Sequence, residues 1–139
     1  MNQKTLLVAT LNLYLDPHFH VDERFCRVWR ETWRFIPLGD RRRIIAYWRH
    51  NPPNVRIDDE GEDWTTGDSG NAAAQTRFLG RELAFRLLAV QGLNEDDLSK
   101  LIAHELAHVR LLADDPIHMT DPVRAHEEVE YLLDWWCLL

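Results

Sequence analysis

Cysteine is scarce in this chain. Cys26 and Cys137 are the two in 139 residues, and they lie far apart. That spacing argues against a disulfide framework and for free thiols in a reducing compartment, which makes the cytoplasm the expected location. Long apolar runs are also missing. The Leu6 to Thr10 run is short, is broken at Asn12 and has no clear cleavage site, so it is not read as a signal peptide. No run is long enough to span a bilayer, so no membrane partner is expected. Basic residues are in deficit, 16 against 23 acidic, for a formal charge of −7. That balance argues against binding a nucleic-acid backbone as a main activity. Neither an internal repeat nor a linker appears, and residues 1–139 read as a single domain. An apolar fraction of 45% with six tryptophans suffices for a core that needs no staple.

Against these absences stands His104-Glu105-Leu106-Ala107-His108. On an α-helix, residues four apart share one face, so two imidazoles at this spacing can point at one cation. Glu105, beside the first, can reach a water bound to that cation, the ligand-plus-base arrangement of zinc hydrolases. The flanking residues support a helix. Asn94 is a capping residue, and Glu95, Asp96 and Asp97 fill the first turn. Leu98, Leu101, Ile102, Glu105, Val109 and Leu112 then form one stripe at three- and four-residue steps. Glu105 falls inside that stripe, where an unpaired carboxylate is costly and a metal-bound water would answer it. His104 and His108 sit on its flank.

A zinc site needs a third protein ligand. Asp121-Pro122 reads as a cap followed by proline at the first helical position. Ala125, Val129, Leu132, Leu133 and Trp136 give the last helix its apolar stripe. Glu127 and Glu130 point away from that stripe. Glu128, twenty residues after His108, lies on its border, where it can reach a site between two packed helices. Other candidates remain open. Asp114 has a metzincin-like offset from His108, although Leu111 stands where the sharp turn would need glycine. His118 is read as a surface residue of the connecting loop, with metal ligation or hydrogen bonding to substrate as its alternatives. His126 is read as a partly buried structural histidine. Gly70 to Gln75 is similar to a stretch of peptide deformylases, but the cysteine motif of that family is missing and the similarity is treated as coincidence.

His104-Glu105-x-x-His108 with Glu128 on a following helix resembles the gluzincins, the thermolysin-like zinc peptidases, in a minimal single-domain form. The resemblance covers the chain from Asn94 onward. It implies His104, His108 and Glu128 as zinc ligands, Glu105 as general base, and a peptide or protein as substrate. Gluzincins often carry an aspartate four residues after the third ligand to hold the first imidazole; here that position is Leu132. Asp134 would fit only if Glu130 were the ligand. Tyr131 and His118 are candidates for a group that stabilises the oxyanion. A zinc-stabilised binding or regulatory domain without turnover, closed by a fourth ligand such as His118, is the competing expectation.

The remainder reads as scaffold. Asp22 is expected to cap a helix to about Arg34, and Asp40 a second to about His50, ended by Asn51-Pro52-Pro53. Val55 to Asp58 alternates like a short strand, and residues 59–72 read as a loop. Gln75 to Val90 suits strand or helix. The resemblance favours a strand over about Glu82 to Ala89, ahead of the metal helix. The expected fold is α+β, a small mixed sheet flanked by helices.

Overall fold

Phe25, Val28, Trp29 and Trp33 recur at helical spacing and form the buried face of α1 (Glu23–Phe35). The computed structural model, in which this helix is the first described element, describes residues 23–58, 65–66, 70–71, 74–77 and 82–138. Asp22 and the Leu6 to Thr10 run lie outside the described residues. α1 stops just ahead of Pro37, whose ring disfavours helical geometry in the residue before it. Helix α2 (Leu38–His50) starts directly after, with Pro37 at the cap position and no side-chain cap. Asp40 therefore lies in the first turn instead of capping it. Its carboxylate accepts from Arg110 Nε at 2.7 Å and from Trp136 Nε1 at 2.9 Å, residues too distant in sequence for local pattern to reveal.

Strand β1 (Asn54–Asp58) buries Val55 and Ile57, as its alternation predicts. Two short strands, β2 (Thr65–Thr66) and β3 (Gly70–Asn71), pair antiparallel within the segment expected to be a loop. Strands β4 (Ala74–Arg77) and β5 (Glu82–Arg86) complete a three-stranded sheet of order β1-β5-β4. It is mixed: β1 runs parallel to β5, and β4 runs antiparallel to it. β5 ends at Arg86, short of the expected Ala89, and Leu87–Gly92 forms helix α3. The reason is pairing. Arg86, facing Asp58, is the last residue of β5 paired with β1, and from Leu87 the backbone groups find their partners within a helical turn.

Helix α4 (Glu95–Asp114) carries the His-Glu-x-x-His motif through the centre of the fold. It packs against α1, α2, β4 and the last helix, α5 (Pro122–Trp135). Asn94 Oδ1 accepts from the Asp97 amide at 2.8 Å, and Asp121 Oδ1 from the Arg124 amide at 3.3 Å with Pro122 in the first turn. Both caps stand where the sequence puts them. Fully buried Leu98, Ile102, Leu106 and Val109, with Ala103 and Ala107, allow close approach of the neighbouring helices. Behind α4, Phe25, Trp29 and Phe85 meet largely edge to face, and Trp33 stacks on Trp48 at 6.0 Å between ring centres. Cys26 is buried, Cys137 exposed, and neither is joined in a disulfide. The architecture is α+β, and among the described residues no helix is long and apolar enough to cross a membrane.

Candidate functional site

His104, Glu105 and His108 sit on one helix whose register is fixed by the burial of Leu98, Ile102 and Val109. The rings of His104 and His108 approach edge to face, 4.9 Å between centres. Burial holds His104 below the ordinary histidine range, helped by the His126 imidazole and opposed by Glu130. His108 is only 8% exposed, and burial first, then His104, His118 and His126, push its pKa down to about 3. At neutral pH the His108 ring is uncharged and keeps a lone pair.

Glu105 is 3% exposed. Burial raises its carboxyl to about 7, against a smaller opposing pull from a hydrogen bond donated by Thr76 Oγ1 on β4. A carboxyl poised near neutrality can accept and release a proton within one turnover. Thr76 is a site residue that sequence pattern gave no reason to choose, because only the packing of β4 against α4 brings it there.

His118 corrects the surface reading. It is 3% exposed, delivered by a short 3₁₀ turn (His118–Thr120). Asp115 shapes that turn: its Oδ1 accepts from the Ile117 amide at 3.1 Å, and its carbonyl from the His118 amide at 3.1 Å. His118 Nε2 lies 3.0 Å from His108 Nδ1. Its Nδ1 lies 3.1 Å from Glu128 Oε2, and Glu128 Oε1 accepts from Arg124 Nε at 2.7 Å. The structure thus brings His104, Glu105 and His108 together and links His108 to Glu128 through His118. No loop rule selects a histidine for burial, so nothing in the pattern around residue 118 exposed this role.

The other candidates are placed differently. His126 is exposed instead of partly buried, paired with Glu130 at 2.9 Å, its ring 5.8 Å from that of His104. Asp114 is occupied by Arg110 and Arg43. Glu127 is exposed, as is Tyr131, which faces solvent and not a reaction centre. Among the described residues, no group of three or more His, Cys, Asp and Glu side chains is arranged to hold a metal ion. As donor types the residues nevertheless suit zinc: two imidazoles of weakened proton affinity one helical turn apart, with a carboxylate linked to them through a third imidazole. No family model, curated protein or solved structure matches the chain.

Proposed function

We propose that this protein is a zinc-dependent peptidase that hydrolyses peptide bonds with Glu105 as general base. The observation that carries the reading is the burial of Glu105, with its carboxyl raised to about 7, between two histidines held uncharged on the same helix. His104 and His108 would hold the zinc, with Glu128 as the third ligand that the gluzincin resemblance implies. Zinc, when bound, supplies a Lewis acid that polarises the scissile carbonyl and acidifies the attacking water. Glu105 accepts the proton of that water and returns it to the departing amine. Thr76 donates to Oε2 of Glu105 and so helps to orient the carboxylate for this exchange. β4 pairs with β5 along one side, and an extended peptide laid along a sheet edge gains main-chain hydrogen bonds.

The test has two parts. Protein purified without chelator is expected to contain about one zinc, measured by elemental analysis. In a screen of unfolded proteins and peptides read by mass spectrometry, Glu105→Gln is expected to retain zinc and fold but lose about 10²–10⁴-fold in cleavage rate. Near-zero zinc that added metal does not restore would overturn the reading, as would equal cleavage by both proteins. A second reading, a zinc-stabilised binding domain without turnover, draws on the burial of His118 beside His108, which puts another protein donor at the site. Zinc held by four protein donors, with no cleavage by the wild type, would establish it.

A further inference from the structure

Resting on the zinc reading above, we propose that His118 is the positioning residue of the centre. It is a buried bridge that fixes which nitrogen of His108 meets the metal and at the same time orients the Glu128 carboxylate. The argument is one of donors and acceptors. An ionised carboxylate only accepts, so the ring nitrogen facing Glu128 Oε2 at 3.1 Å must carry a hydrogen. That is Nδ1 of His118. If Nε2 of the same ring keeps its lone pair, the atom it faces at 3.0 Å, His108 Nδ1, is the donor. His108 Nε2 is left with the free lone pair, ready for a cation. One carboxylate therefore sets the tautomers of two rings in succession.

The arrangement also supplies what the local sequence lacks. Metal-binding imidazoles regularly donate their second N–H to a carboxylate, carbonyl or water, and such partners raise ligand basicity and fix ring orientation. Leu132 stands where the family resemblance expects an aspartate to do this. His118, from a separate turn, fills an equivalent role on His108. It holds Glu128 by Oε2, while Glu128 Oε1 is engaged by Arg124, whose side chain is 65% exposed. The His118 side chain has no exposed surface. Its two polar atoms are both accounted for by candidate ligands on two different helices. A histidine buried only for packing would not need that double match.

The experiment measures zinc affinity by chelator competition, together with ring-nitrogen tautomers by ¹⁵N NMR of the zinc-loaded wild type. His118→Leu is expected to weaken zinc binding about 10–100-fold while the zinc-free protein keeps its fold. His118→Gln, whose amide presents one donor and one acceptor on a single carbon, is expected to recover most of that loss. In the NMR spectrum, His108 should bind zinc through Nε2 and His118 should carry its hydrogen on Nδ1. Wild-type affinity in folded His118→Leu overturns the proposal. So does a His118 ring that is protonated on Nε2 or itself bound to zinc, a result that needs no variant to fold. A wild type that binds no zinc overturns the zinc reading itself, an outcome distinct from all of these.

Discussion

Two carboxylates each tie α4 to neighbouring elements, and they do so through different kinds of partner. Asp40, on α2, accepts from Arg110 of α4 and from the indole of Trp136 at the end of α5. Glu128, on α5, is met by Arg124 and by His118, which continues to His108 of α4. The Asp40 junction is closed. Guanidinium and indole donate and never accept, so its hydrogen bonds have one arrangement and neither donor has a lone pair to offer another ligand. Imidazoles in the Glu128 junction have two nitrogens of opposite character, and the chain of bonds ends on a ring that still has a lone pair to offer. Similar anchoring of one helix is structural in the first case and chemically open in the second.

Four measurements would break or sharpen that contrast. The largest effect concerns Glu105, the buried carboxylate beside the open junction. Its folded pKa, about 7, lies above the ordinary 4.5, so its ionisation opposes folding. The loss is absent below pH 4.5, grows as pH rises, and is complete above 7. The gap of about 2.5 units corresponds to at most about 3 kcal/mol. His108, held low, works in the opposite sense, costing stability as pH falls below 6.5, so the wild-type curve alone is flattened. Urea unfolding of zinc-free Glu105→Gln and wild type isolates the term. The variant is expected to gain about 3 kcal/mol on wild type between pH 4.5 and 7.5. Parallel curves would show that Glu105 is not held protonated.

Next in size is Asp40→Ala. Loss of the acceptor leaves Arg110 Nε and Trp136 Nε1 unanswered in a largely buried position, with only Arg110 Nη1 still held by Asp114, and about 2 kcal/mol of stability should be lost. Zinc affinity should stay at the wild-type level, since this junction offers the metal nothing. A parallel fall in affinity would mean that the two junctions are one unit. Glu128→Gln should show the reverse pattern: a loss of zinc affinity larger than that of His118→Leu, with a small change in unfolding free energy. Glu127→Gln and Glu130→Gln, both on exposed positions of the same helix, should bind zinc like the wild type. If either abolishes binding, the facing of α5 toward the site is misassigned.

The smallest effect lies beyond both junctions. Cys137 has φ of 61° and closes α5 with the Leu138 amide on the Leu133 carbonyl at 2.9 Å, a position that glycine fills without crowding its Cβ. Cys137→Gly should raise stability by about 1 kcal/mol in a thermal melt and leave zinc affinity unchanged. A loss of stability would show that the exposed thiol side chain contributes packing that outweighs the backbone cost.

The sequence by itself determined the register of α4 and α5, although not the exposure of His126 or the cap of α2. His104, Glu105 and His108 share a helix because Asn94 caps it and its stripe of apolar residues sets its register. Asp121-Pro122 starts α5, which leaves Glu128 half-buried with Glu127 and Glu130 outside. Those are local matters of backbone hydrogen bonding and periodic burial, readable within a few turns of chain. The tertiary structure decided the rest. β5 gives way to α3 after Arg86, the last residue paired with β1. Asp40 serves Arg110 and Trp136 because α2, α4 and the end of α5 converge on it. Thr76 reaches Glu105 because β4 lies against α4. His118 is buried because a turn shaped by Asp115 folds it between His108 and Glu128. Each of these rests on a polar group finding a partner far along the chain. Such pairing obeys no period, and it exists only once the elements have packed.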